Sequence, residues 1–235
     1  MSRANSVCHI AQFGTPLSSL AVGSSVWMNV DGVRTEFLVV HQGTPSSLYG
    51  GNPNGTWLLM KDCYESRAWA SSNVNAYASS TIHSYLNGTF KNLFDANIRS
   101  KMLSVKLPYR AGFGSGTIVT SGDSGLSANI FLLSATEVGL TMTSYNPVNE
   151  GTTLSYFSGT ATCSDDTKRV ANLNESATYW WLRSPYCNTS SDKYALHVTS
   201  VGSWGGNGCI NPSGIRPALV MPSTATVDDS GNVIP

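Results

Sequence analysis

Ser124 sits among small turn residues in the run Ser121–Leu126 (SGDSGL), and His9, His41, His83 and His197 are the bases a serine nucleophile would need. Such a nucleophile requires a histidine within hydrogen-bond reach and a third group behind it. His41 lies in VVHQG and His83 in TIHSY, neither a setting that places an imidazole beside a serine. No HExxH occurs and no two histidines stand at helical ligand spacing. Cys8, Cys63, Cys163, Cys187 and Cys209 form no CxxC pair, which argues against zinc. The odd count suits free thiols, with a Cys187–Cys209 bridge as the alternative. The acids of DSGLSANIF and DDSGNV lack EF-hand spacing, and a looser calcium site is left to Asp165, Asp166 and Asp192. Gly112–Thr117 (GFGSGT) lacks the lysine and following helix of a phosphate loop. The expectation is no catalytic residue, no metal site and no cofactor.

A different chemistry lies between Tyr179–Pro185 (YWWLRSP) and Gly214–Pro222 (GIRPALVMP). The two stiff apolar runs flank a segment of Tyr, Cys, Asn, Ser, Thr, Asp and Gly with a lone Trp. In YALHVTS, strand alternation puts Leu196 and Val198 on one face and His197 and Thr199 on the other. If Leu196 and Val198 face the core, His197 and Thr199 face outward. Trp204, between Ser203 and Gly205-Gly206, has no apolar sequence neighbour to bury it and is expected to be displayed. Tyr and Trp give contact area at small entropic cost, and Asn, Ser and Gly give adaptable hydrogen bonding. The expected ligand face is therefore Tyr186, Asn188, Asp192, His197, Thr199, Trp204, Asn207 and Asn211. The plainer alternative is a polar loop of ordinary turn residues.

SGDSGL also resembles the nucleophile motif of trypsin-like serine proteases, and Gly202–Cys209 (GSWGGNGC) their substrate-binding segment. The order departs from that family, because Ser124 and Ser203 are far apart here and no histidine lies in an Ala-His-Cys setting. A hydrolase using Ser124 or a cysteine is the lesser reading.

The elements that must position these residues are mostly short. Val26–Gln42 reads as a hairpin turning at Asp31-Gly32, and Thr56–Cys63 as a strand. Ser79–Leu103 has helical apolar spacing, Ile82, Tyr85 and Leu86 before Gly88 and Phe90, Leu93, Phe94, Ile98 and Met102 after it. Gly88 divides it into two helices. Asn129–Gly139 runs from a buried strand into a short helix, with Ser134 and Glu137 at capping-box spacing. Trp180–Ser184, Tyr194–Thr199 and Ile215–Val220 are expected strands, and the tail TVDDSGNVIP a small hairpin. No repeat of fixed period appears.

The 235 residues suit one domain, with 1–24 as a possible N-terminal extension. Hydrophobic residues make up 41%, enough for a core, while charged residues make up 12%, about half the usual share. The net charge of zero leaves no electrostatic footprint for nucleic acid. No apolar run reaches the roughly 20 residues of a membrane span, and the start shows no secretory signal.

WWLRSP, a polar stretch and GIRPALVMP together resemble a domain family of unknown function common in phages and prophages of gut Firmicutes. The upstream stretches LLMKDCYESRAWASSNVNAYASSTIHSYLN and KLPYRAGFGSGTIVTSGDSGLSANIFLLSATEVG extend the match. That family resembles the C-type-lectin-fold variable proteins of diversity-generating retroelements. The resemblance implies an α+β, C-type-lectin-like fold over residues 1–235, with 186–213 as a variable ligand-binding segment. It implies a non-enzymatic receptor-binding or tail-fibre protein on a virion or, alternatively, a bacterial surface adhesin. The partner would be a protein or glycan receptor on a cell surface, and the assembly a homo-oligomer such as a trimer. Trp180 and Trp181 would then be scaffold, and Arg183 and Arg216 would hold loop carbonyls or acids beneath the site.

Overall fold

The computed structural model describes residues 14–112, 118–141, 149–186 and 193–234. Ten strands carry the architecture: β1 Ser25–Val30, β2 Val33–Gly43, β3 Gly55–Met60, β4 Glu65–Ala68, β5 Ile130–Phe131, β6 Trp180–Pro185, β7 Tyr194–Val198, β8 Trp204–Gly208, β9 Pro212–Ile215 and β10 Ala218–Pro222. β1 and β2 form the expected hairpin. Asp31 (φ 52°) and Gly32 (φ 72°) both occupy the left-handed region a two-residue turn requires, and Val30 pairs with Val33.

The first sheet has strand order β1-β2-β3-β10-β5 and is antiparallel throughout. The second has order β8-β7-β6-β9-β4, with one parallel contact where Trp180 meets Gly214. Three small sheets complete the described residues. In one of them Thr15–Pro16 pairs with Thr226–Val227, which pairs with Val233–Ile234, and Leu17 is fully buried.

The central strands of both five-stranded sheets are buried on both faces. Successive strand residues point opposite ways. In β2, Phe37 and Val39 therefore enter one core, and Leu38 and Val40 the other. In β3, Leu58 and Met60 belong to the first core, and Trp57 and Leu59 to the second. In β6, Trp181 lies in the first, and Trp180 and Leu182 in the second.

The expectation of an α+β, C-type-lectin-like fold is overturned. Among the described residues strands build five sheets, and α-helix is limited to α1, Thr81–Asn87, and α2, Ala96–Lys101. The apolar stripe of Ser79–Met102 is used differently from a pair of full helices. Ser80 caps α1 by accepting from the His83 N–H at 3.1 Å. Gly88 ends it, and a 3-10 turn over Phe90–Leu93 consumes the next apolar positions. Ile82, Leu86, Phe90, Phe94 and Ile98 are all buried in the first core from these short pieces.

Two further expectations are corrected. Ile215–Val220 is not one strand. Arg216-Pro217 turns the chain from β9, in the second sheet, to β10, in the first. Met60 clamps this corner, its N–H donating to the Pro217 carbonyl (2.9 Å) and its carbonyl accepting from Arg216 Nε (2.8 Å). Ser134–Glu137 does not open a helix. The Glu137 N–H donates to Ser134 Oγ (3.1 Å) and the Ser134 N–H to Glu137 Oε2 (2.9 Å), so the reciprocal pair forms around a turn that ends at Gly139 (φ 77°).

Candidate ligand-binding site

β6 is buried along its whole length and anchors the second sheet. Its adjacent tryptophans diverge, and each indole N–H finds a carbonyl: Trp180 that of Arg169 and Trp181 that of Arg67, both at 2.9 Å. Arg183 is fully buried. Its guanidinium meets both oxygens of Glu137 at 2.5 and 2.6 Å and donates to the carbonyls of Leu132, Glu150 and Pro108. Burial works against this cation, and the Glu137 carboxylate outweighs it, raising the guanidinium above its ordinary range. Tyr49 adds its hydroxyl to Glu137 Oε1 at 2.7 Å. Arg216 is also buried, 5.0 Å from the Trp180 ring centre, and its Nη1 has no hydrogen-bond partner among the described residues. Burial lowers its affinity for the proton.

His197 in β7 lies directly opposite Trp181 in β6 and Gly205 in β8. Gly205 makes room for the ring, because a Cβ there would stand 2.4 Å from His197 Nε2. The Tyr179 ring meets the imidazole edge-on at 5.1 Å and 63°, and Trp181 lies 6.0 Å away. His197 is 8% exposed, and its buried Nδ1 has no hydrogen-bond partner among the described residues. Burial pushes the imidazole down to about 4, so it is neutral at pH 7.

A cavity of about 260 Å³ opens over this imidazole. Tyr179, Asn207 and Ser213 line it with His197, and Ser66, Thr178 and Pro212 complete the wall. Asn207 Nδ2 donates to Ser213 Oγ at 3.4 Å, so β8 and β9 meet at this wall. Among the described residues no lining side chain is charged at neutral pH. A larger, shallower groove of about 460 Å³ runs over Asn87–Ser100. Its cations are already engaged, Lys91 with Asn129 Oδ1 and Arg99 with the Asn92 carbonyl.

The expected ligand face does not lie on one side of the sheet. His197 and Asn207 point into the cavity side, with Ala195 and Trp181. Trp204 and Tyr186 lie on the opposite side. Trp204 is half-buried across from Val198 and packs on the second core, contrary to the expected display. Tyr186 packs on that core too, against the bare backbone of Gly206. His197 is on the face opposite Leu196 and Val198, as expected, but does not stand free in solvent, because the Tyr179 and Trp181 rings lie against it and leave it 8% exposed at the floor of the cavity. Thr199 is half-buried, and its Oγ1 accepts from the Ser203 N–H at 3.0 Å to close a turn. Asn211 is exposed and donates to Asn207 Oδ1 at 2.9 Å. Asn188 and Asp192 lie outside the described residues, as does Cys187 of the suggested bridge to the buried Cys209. Sequence reasoning missed Ser66, Thr178, Pro212 and Ser213, which carry no motif. Tyr179 opened the YWWLRSP run without being assigned to the site.

The hydrolase residues are scattered. Ser124 is exposed in a turn, and its hydroxyl has no hydrogen-bond partner among the described residues. Burial pushes the Cys63 thiol up to about 12, out of nucleophile range. His41 Nδ1 does meet Ser155 Oγ, at 2.7 Å, but also accepts the Ser155 N–H at 3.3 Å, so the ring is tied to the first residue of a 3-10 turn. No group of three or more His, Cys, Asp or Glu is placed to hold a metal among the described residues. No helix among them is long and apolar enough to cross a membrane.

A domain family described as "Domain of unknown function (DUF6273)" matches residues 54–223. The chain belongs to this family. The matched span includes both motif runs, the whole cavity wall and the Arg183–Glu137 pair. No curated protein and no solved structure matches the chain.

Proposed function

We propose that this chain is a non-enzymatic binding protein whose ligand site is the cavity over His197, and that it serves on a phage tail or a bacterial cell surface. One observation carries the reading: a neutral imidazole, 8% exposed, lines a surface cavity inside the polar segment between the two motif runs. The Tyr, Asn, Ser and Gly around it are the residues of adaptable contact surfaces. Ser124 without a base and Cys63 without thiolate character weigh against the hydrolase reading.

The test pairs two measurements on the full chain. Fluorescently labelled protein is applied to whole Firmicutes cells, and serine- and thiol-reactive probes are applied to the protein. The expected result is saturable cell binding that weakens in Tyr179→Ala, with no specific labelling of Ser124. Specific, substrate-protectable labelling of Ser124 would sink the proposal.

A further inference from the structure

The chemistry of the cavity over His197 narrows what it takes. We infer that the cavity receives a neutral, hydroxyl-bearing saccharide ring, held without a metal ion; this rests on the binding reading above. Four features of the cavity bear on it.

Among the described residues the lining carries no formal charge. Tyr179, Ser66, Thr178, Asn207 and Ser213 supply hydroxyls and an amide, and His197 supplies a neutral imidazole. A carboxylate, phosphate or ammonium ligand would enter without a counter-charge, which low-dielectric surroundings penalise heavily. A hydroxyl group has no such cost, and it can donate to or accept from each of these groups.

The imidazole in the wall sets the polarity of a contact made through it. A neutral ring carries one donor and one acceptor nitrogen, assigned by the tautomer, and a sugar hydroxyl satisfies either. A carboxylate or carbonyl ligand satisfies only the donor nitrogen.

The rim supplies an aromatic face. Tyr179 is 48% exposed, and its ring is already held edge-on to the imidazole at 5.1 Å. Its backbone is fixed as well, because its carbonyl accepts the Gly214 N–H at 2.8 Å. A ring fixed in this way offers an amphipathic platform at low entropic cost, suited to the C–H face of a pyranose.

The size limits the ligand. A volume of about 260 Å³ lies below the roughly 300–1,000 Å³ of pockets that enclose drug-sized molecules. One sugar ring fits, with the rest of any chain outside on the surface near Asn211.

The probes are methyl glycosides of neutral hexoses and of N-acetylhexosamines, applied to the full chain in EDTA and followed by saturation-transfer NMR and titration calorimetry. The expected result is millimolar binding of at least one glycoside, unchanged by added calcium. Affinity should fall at least tenfold in Tyr179→Ala, whose side chain leaves the core untouched. It should fall also in Gly205→Ala, where the added Cβ drives the imidazole into the cavity. Unaltered melting of Tyr179→Ala shows that the loss is not unfolding. Failure of every glycoside to bind, with cell binding that is destroyed by protease treatment of the cells and spared by periodate, overturns the saccharide and leaves the binding protein. Failure of glycosides and cells alike overturns both. Binding of a glycoside that is indifferent to Tyr179→Ala and Gly205→Ala places it elsewhere and overturns the assignment to this cavity.

Discussion

Replacing Arg183 with methionine removes the cation at the centre of the largest buried polar assembly described above. The guanidinium makes two contacts with Glu137 and donates to three carbonyls, and neither partner of the ion pair is exposed. In Arg183→Met, Glu137 keeps the Tyr49 hydroxyl and the Ser134 N–H but loses its counter-charge. Breaking a buried pair from one side costs about 3–5 kcal/mol, because a buried charge is left uncompensated. At about 2–4 °C per kcal/mol for a chain of this size, that is a fall of about 6–20 °C in Tm. Urea unfolding at pH 7 measures the free energy, and a thermal melt checks it. A double variant, Arg183→Met with Glu137→Leu, should lose less than the sum of the two single losses, since it leaves no orphan charge. A loss under about 1 kcal/mol for Arg183→Met would refute the reasoning, because it would mean that Glu137 can reach water or neutralise itself cheaply.

Trp181→Ala should cost about 3–5 kcal/mol, as for other fully buried aromatics. Trp204→Ala, half-buried, should cost about 1–2 kcal/mol, and urea denaturation of the two gives the order. His197 also links stability to pH. Its folded pKa of about 4 lies below the ordinary 6.5, so the unfolded chain binds the extra proton between these values. The stabilisation is complete above pH 6.5 and is lost as pH falls through 4. The stability difference between the protein and His197→Gln, followed by urea titrations from pH 7 to 4, should change by at most about 3 kcal/mol. Gly205→Ala should cost about 1–3 kcal/mol by overpacking against the imidazole, read as a lowered urea midpoint.

The turn at Asp31-Gly32 and the Ser134–Glu137 reciprocal pair were legible because each is a local device, specified by residues two or three apart. The fold class was not. The stripe of Ser79–Met102 has helical spacing, but that spacing also suits a series of short turns pressed on a core, and only tertiary packing separates the two. The exposure expected of His197 failed for a related reason. Phase analysis of YALHVTS assumed a sheet with one wet face. Trp180-Trp181-Leu182 held the contrary signal: neighbours on a strand point opposite ways, so an unbroken apolar run means both faces are covered. The same logic carries His197 inward with Trp181, and carries Trp204 with Val198 onto the second core. The cavity wall was beyond reach, since Ser66 and Ser213 are brought together by the pairing of β4 with β9 and have no distinguishing local context.

β10 fills the slot between β3 and β5 in the first sheet, and Phe131 precedes Ala218 by 87 residues. On a translating ribosome, at about 5–20 residues per second, that interval lasts roughly 4–17 s. Until β10 is made, the β3 edge that it pairs in the finished sheet, and β5 beyond it, lack their sheet partner. Open edges of this kind pair readily with other chains. Yield in the cell should therefore be governed by how long this gap stays open, so that slowing translation between residues 131 and 218 favours aggregation, and a chaperone that shields strand edges favours recovery.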